Sequence, residues 1–134
     1  MTRELREIVI HASMTGDEDV TLNDLDRKHR KAGWNGCGYH YVIRRDGTRE
    51  QGRDLSTPGA HVKHFDKYSI GICMIGGKPG TNFTEAQWIS LKAIVDALTT
   101  SYPHLRVMGH RDCPGANTTC PTFDVAEWWA SLTA

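Results

Sequence analysis

Short apolar runs separated by polar turns predict a chain of small, alternating strands and helices. Residues 7–10 form a run rich in β-branched side chains that ends at His11, where a polar loop follows. Residues 69–75 are nearly all apolar or small, which is typical of a central strand covered on both faces. Residues 105–108 form a further apolar run and predict the last strand. His11 is therefore expected at the end of the first strand.

Two more strands are predicted to form a hairpin. Residues 39–43 and 48–51 flank the dipeptide Asp46-Gly47, which readily adopts the positive backbone φ angles of a tight turn. Side chains alternate between the two faces of a strand. We therefore expect Tyr39, Tyr41 and Ile43 on one face, and His40 and Val42 on the other.

Three helices are predicted from apolar side chains at helical spacing behind N-terminal capping signals. The first begins after Thr21 and ends at Gly33, the second runs from Thr84 to Tyr102, and the third begins at Asp124. Aromatic pairs that can pack across helix starts are Phe83 with Trp88 and Phe123 with Trp128. Because strands and helices alternate along the chain, the predicted class is α/β, with a central mixed β-sheet flanked by helices.

Length and charge narrow the functional classes. The 134 residues fit a single domain spanning 1–134. Sixteen Lys and Arg residues balance sixteen Asp and Glu, which argues against a general nucleic-acid-binding protein, since such proteins carry a basic excess. No apolar run approaches the roughly 18 residues of a membrane span. Charged residues also interrupt the N-terminal stretch that a secretory signal would need, so we expect a cytosolic product without membrane insertion.

The irregular stretch 109–121 carries the candidate chemistry. It follows the last predicted strand and contains His110, Cys113 and Cys120, while His11 ends another strand. Loops at strand ends commonly hold reactive groups, and imidazole and thiolate are ligands that zinc prefers. Three protein ligands would leave a catalytic site open to water, whereas four would make a structural site, and the spacing leaves both open. A thiol hydrolase using Cys120 and His110 is a further alternative.

Four segments, in this order, resemble those of a known family. They are Ile-Val-Ile-His at 8–11, Gly-Tyr-His-Tyr-Val-Ile at 38–43, Gly-Ala-His at 59–61, and Gly-His-Arg-Asp at 109–112 ahead of Cys120. The chain is similar to zinc-dependent N-acetylmuramoyl-L-alanine amidases, in particular the small phage endolysins of the type-2 amidase and peptidoglycan recognition protein family. The resemblance extends from about residue 7 to residue 129 and implies the fold of that family.

The resemblance also implies a ligand set and assisting residues. Zinc would be held by His11, His110 and Cys120. Tyr39 falls at the position of the family's assisting tyrosine, which hydrogen-bonds the reacting carbonyl or water. A second assisting residue falls near Thr118, with Thr119 as the alternative, because this loop lacks the lysine that several phage members carry.

Four other histidines and one other cysteine are expected to lie outside the ligand set. His61 is expected to line the substrate groove. Cys113 is additional to the family pattern and is expected to be a bystander, with a disulfide to Cys120 or a fourth metal bond as its alternatives. The histidines expected to be solvated are His29, His64 and His104.

The function that the resemblance implies is hydrolysis of the amide bond between N-acetylmuramic acid and L-alanine of the peptidoglycan stem peptide. We expect a monomeric phage endolysin whose partner is peptidoglycan, held in the host cytoplasm until it reaches the cell wall. The alternatives are a non-catalytic peptidoglycan-binding module and a regulatory protein-binding role. Binding-only members usually lack the cysteine ligand, so Cys120 favours the enzyme.

Overall fold

A computed structural model describes residues 3–133 of the chain. The predicted domain of residues 1–134 therefore includes Met1, Thr2 and Ala134, which lie outside the described residues. In chain order the elements are β1 (Glu7–Ala12), α1 (Leu22–Lys31), β2 (Tyr41–Ile43), β3 (Arg49–Gln51), β4 (Ser69–Met74), α2 (Glu85–Ser101), β5 (Arg106–Gly109) and α3 (Val125–Thr133). Short 3₁₀ turns at Asp66–Tyr68 and His110–Asp112 precede β4 and follow β5.

The five strands form one sheet in the order β3-β2-β4-β1-β5. Among the described strands, β2, β4, β1 and β5 run parallel, and only the hairpin pair β2-β3 is antiparallel. This arrangement confirms the predicted mixed sheet, and it confirms β4 as a central strand whose six residues are all buried. Between residues 3 and 133, no helix combines the length and apolar character needed to cross a membrane.

The two faces of the sheet have different coverings. Ile8 and Ile10 of β1 point into the larger core, where they pack with Leu91 of α2 and Val125 of α3. Val9 and His11 point to the opposite face, which α1 and the long loops cover with smaller apolar clusters. The alternation of side chains along β1 thus places His11 on the face that carries the loops.

The helix starts have the predicted capping interactions. Thr84 accepts a hydrogen bond from the backbone N–H of Gln87 (3.1 Å), and the Gln87 side chain accepts one from the N–H of Thr84 (3.0 Å). Thr21 and Asp24 form the same reciprocal box at α1. The aromatic pairs also form, with ring centroids 5.6 Å apart for Phe83 and Trp88 and 6.3 Å apart for Phe123 and Trp128.

The prediction for the face of Tyr39 is wrong. Tyr41 and Ile43 pack in the larger core, but Tyr39 packs with Val42 on the opposite face. The reason is that β2 begins only at Tyr41, so the strand alternation does not extend back to residue 39. The structure therefore brings Tyr39 to the same side of the sheet as His11.

We expect Thr84→Ala to destabilise the fold by about 1–2 kcal/mol, because it removes the N-cap of the longest helix. The Thr84 hydroxyl also donates to the carbonyl of Arg45 (2.7 Å), so the change also removes one of the hydrogen bonds between α2 and the hairpin. Urea unfolding would measure the loss. The matched control is Thr100→Ala, near the other end of α2, which should change the free energy of unfolding by no more than about 0.5 kcal/mol. Equal effects would contradict the capping explanation.

Candidate metal centre

His11 and His110 are neighbours because of the register between two parallel strands. Ile10 of β1 lies opposite Gly109 of β5. The next residue in the chain is a histidine in both cases: His11 lies in β1, and His110 opens the turn that follows β5. Adjacent parallel strands end at the same edge of a sheet, so the pairing brings both residues to that edge, where the imidazole centroids are 4.7 Å apart.

Backbone contacts bring Cys120 to the same place from a loop. The N–H of Ala12 donates to the Cys120 sulfur (3.1 Å), and the N–H of Arg111 donates to the Cys120 carbonyl (2.8 Å). These bonds anchor the loop to β1 on one side and to the turn after β5 on the other. The sulfur is consequently held beside the strand that carries His11.

The three side chains converge within one coordination sphere. One ligand atom from each of His11, His110 and Cys120 lies within 4.8 Å of the other two. His11 and Cys120 are buried, whereas His110 is half-buried, so the cluster is open on the side of His110. Two imidazoles and one sulfur suit zinc, and three protein ligands leave a coordination position for water or substrate.

The electrostatics of the cluster are compatible with metal binding. Burial, together with His61 and His110, lowers the pKa of His11 well below its ordinary value, so this imidazole is neutral near pH 7. Burial raises the pKa of the Cys120 thiol, and the hydrogen bond from Ala12 partly opposes that rise. A histidine binds a metal as the neutral imidazole, and a cysteine binds it as the thiolate. His11 thus already has the required charge, while Cys120 would lose its proton on metal binding.

Tyr39 lies against the cluster. Its ring centroid is 5.0 Å from that of His11. Burial, followed by the thiols of Cys73 and Cys120, raises its pKa well above the ordinary value. The hydroxyl therefore keeps its proton and can act only as a neutral hydrogen-bond donor or acceptor.

Thr118 is an exposed residue at the start of the turn that carries the sulfur. Its hydroxyl accepts a hydrogen bond from the backbone N–H of Cys120 (3.1 Å). Thr119 is also exposed and uses its carbonyl to accept from the N–H of Thr122 (2.7 Å). Of the two, Thr118 has its hydroxyl bound to the ligand residue. Its assisting role stays a prediction.

His61 contacts His11, which the sequence did not predict. Its side chain has no exposed area, and its Nδ1 lies 2.8 Å from Nε2 of His11. Burial, followed by His40 and His110, lowers its pKa to about 3. The predicted contact of His61 with substrate stays a prediction. No local pattern could have revealed the contact with His11, because the two residues are fifty positions apart.

Cys113 is not one of the three residues of the cluster. Cys113 packs with Val9 and Val62, its thiol donates weakly to the carbonyl of Gly109 (3.8 Å), and it is not disulfide-bonded. This placement agrees with a bystander.

His29, expected to be solvated, is instead buried: its Nδ1 accepts a hydrogen bond from the N–H of Gly38 (3.0 Å). The solvated prediction for His29 is therefore wrong.

A pocket of about 410 Å³ adjoins the open side of the cluster. It reaches His110 and is lined by Val62, Lys63 and His64 on one wall and by the loop 114–117 on the other. A ligand can therefore approach His110 from solvent while His11 and Cys120 remain buried.

Comparison with known proteins identifies related chains. Residues 1–123 match the family model described as N-acetylmuramoyl-L-alanine amidase. The endolysin of Klebsiella phage KP32 is 38% identical over 133 residues, covering 95% of this chain and 87% of the phage protein. The solved structure of the N-acetylmuramoyl-L-alanine amidase LysC from Clostridium intestinale URNW superimposes with a TM-score of 0.87 at 29% identity, covering 98% of this chain and 87% of LysC. Drosophila PGRP-LB gives a TM-score of 0.79 at 25% identity, covering 90% and 76% of the two chains.

We expect the metal-free protein to lose stability as the pH falls from about 6.5 towards 4. Burial lowers the pKa of His40 to about 4, and in the unfolded chain it returns to about 6.5. Between these values the unfolded state binds more protons, so acidification favours unfolding. Replacing His40 by Gln should reduce the slope of unfolding free energy against pH by about 1 kcal/mol per pH unit between pH 6 and 5.

The measurement is urea unfolding at several pH values. Gln87→Leu is the control, because it removes a buried polar side chain that does not titrate. It should lower stability at every pH and keep the parent slope. A His40→Gln slope equal to that of the parent would show that folding does not lower the pKa of His40.

Proposed function

Because the chain belongs to the N-acetylmuramoyl-L-alanine amidase family, we propose that it hydrolyses the bond between N-acetylmuramic acid and L-alanine in peptidoglycan by a zinc-dependent reaction. The observation that carries the proposal is the convergence of His11, His110 and Cys120, whose ligand atoms lie within 4.8 Å of one another. These three residues are assigned as the zinc ligands. A zinc ion bound there would supply Lewis acidity and lower the pKa of water to about 7.

The half-buried position of His110 determines how substrate reaches the site. His11 and Cys120 are buried and close one side of the site, whereas the pocket next to His110 is open to solvent. The scissile carbonyl would therefore approach across His110, with the neighbouring polymer in the pocket. Exclusion of solvent on the buried side strengthens the hydrogen bonds made to the reacting group.

Tyr39 is proposed to donate its hydroxyl hydrogen bond to the reacting carbonyl. Its raised pKa keeps the donor proton in place, and its ring is packed against His11. Hydrogen bonds that strengthen as negative charge develops on the carbonyl oxygen lower the reaction barrier. Thr118 is proposed as a second donor, because a hydroxyl that accepts a bond from the N–H of Cys120 still has a proton to donate.

The competing hypotheses make different use of Cys120. A binding module without catalysis would not need this sulfur beside two imidazoles. A thiol hydrolase would need a thiolate nucleophile without metal, but burial raises the pKa of Cys120. The regulatory protein-binding alternative has no specific contact to support it. The zinc amidase is therefore the function that the cluster favours.

The biological setting is also part of the proposal. We propose that residues 1–134 form one amidase domain that acts as a monomer on peptidoglycan. The phage relative at 38% identity is an endolysin. We extend that setting to this chain, with synthesis in the host cytoplasm and action on the cell wall after release.

Removal of the metal should abolish peptidoglycan hydrolysis, and added zinc should restore it. The parent should hold one zinc ion per chain, whereas Cys120→Ser should lose both zinc and activity because a ligand is missing. Zinc content by elemental analysis and release of stem peptide from purified cell walls provide the two measurements. Cys113→Ser is the matched control, since Cys113 is also a buried cysteine but lies outside the cluster, and it should keep both properties.

The alternatives predict other outcomes. Full hydrolysis after chelation, combined with inactivation by alkylation, would support the thiol hydrolase and overturn zinc dependence. Zinc binding and retention on insoluble peptidoglycan without release of stem peptide would support the binding module.

Tyr39→Phe should keep zinc bound and lower kcat by about 100-fold, since one donor to the developing oxyanion is lost. Thr118→Val should have a smaller effect in the same direction, because the exposed hydroxyl is more easily replaced by water. Tyr41→Phe is the control on the opposite face of the sheet and should retain the parent kcat. A Tyr39→Phe enzyme with the parent rate would exclude the assigned donor.

A further inference from the structure

A buried chain of hydrogen-bonded side chains extends from His11 through His61 to Ser69. His11 Nε2 is 2.8 Å from Nδ1 of His61, and His61 Nε2 is 3.1 Å from Oγ of Ser69. His11, the His61 side chain and Ser69 are all buried. Inside the protein each of these groups depends on its neighbour for a hydrogen-bond partner.

The chain restricts the tautomers of both rings. A neutral imidazole has one N–H and one lone pair, so the nitrogen that binds a metal must lack hydrogen. If His11 carries its proton on Nε2 and donates it to His61 Nδ1, the lone pair of His11 is on Nδ1. His61 then carries its own proton on Nε2 and donates it to Ser69.

The surroundings of His61 are shaped to hold this ring in place. A Cβ atom at Gly71 would lie 2.8 Å from the His61 ring, and one at Gly59 would lie 2.6 Å from it. Both distances are too short for a side chain, so glycine at these positions makes room for the imidazole. Asp66 anchors the backbone, since its Oδ1 accepts from the N–H groups of His61 and Val62 (2.8 Å each).

We infer that His61 is a positioning residue that holds His11 as the Nε2–H tautomer and thereby presents Nδ1 of His11 to the metal. The inference rests on the proposed function, because it presumes that His11 is a zinc ligand. It assigns His61 to the support of a ligand and not to the wall of the substrate groove. Groups that orient a ligating histidine typically change metal affinity by about 10–100-fold when removed.

The test compares two replacements of similar size at position 61. His61→Asn offers a carbonyl oxygen near the position of Nδ1 and can still accept from His11, whereas His61→Leu cannot. Zinc dissociation constants are measured by competition with a chromophoric chelator. We expect His61→Leu to weaken zinc binding by about 10–100-fold and His61→Asn to stay within a few-fold of the parent. Gln87→Leu removes a buried hydrogen-bonded side chain from the other face of the sheet and should bind zinc like the parent.

A second measurement uses the parent protein and does not depend on the folding of a variant. Long-range ¹H–¹⁵N NMR of the zinc-loaded protein should show His11 protonated on Nε2 and His61 protonated on Nε2. Zinc bound through Nε2 of His11, or equal zinc affinity for folded His61→Leu and the parent, would overturn the inference and leave the zinc amidase intact. A parent that binds no zinc would instead reject the proposed function.

Discussion

Parallel pairing of β1 with β5 is the constraint on which the site depends. The pairing places Ile10 opposite Gly109, so His11 and His110 emerge at the same sheet edge. A shift of one residue along either strand would reverse the face of every following side chain. The buried apolar residues of β1 resist such a shift, because Ile8 and Ile10 would then leave the larger core. Core packing and ligand placement are therefore consequences of the same register.

Two side chains reach the cluster from loops and not from strands. Cys120 reaches the cluster through the N–H of Ala12, and His61 reaches it through a loop anchored by Asp66. That loop is also tied to the N-terminal segment, since the guanidinium of Arg3 donates to the carbonyls of Leu55 (2.7 Å) and Ser69 (3.0 Å). The irregular segments around the site are thus held by specific hydrogen bonds between side chains and backbone groups, which let loop residues keep defined positions.

The cluster has one side that is buried and one side that faces solvent. The buried side holds neutral imidazoles, because low polarity lowers the pKa of His11 and His61. The half-buried His110 and the neighbouring pocket lie on the side that faces solvent. Tyr39 packs against His11, and burial raises its pKa so that its hydroxyl stays protonated. The proposed zinc reaction would use this combination, since it fixes the ligands and leaves the substrate a route of entry.

The sequence by itself determined the strands, the helix caps and the class of the sheet, because periodicity and the pairs Thr21 with Asp24 and Thr84 with Gln87 act over a few residues. It also supplied the candidate ligands, through histidines and cysteines after predicted strands and through the ordered family motifs. Only the tertiary structure decided that Tyr39 lies on the face of His11, that His29 is buried, and that His61 contacts His11. Each of these depends on where an irregular segment is placed by contacts with distant residues. Such contacts leave no periodic pattern in the chain, so they follow from packing and not from local sequence.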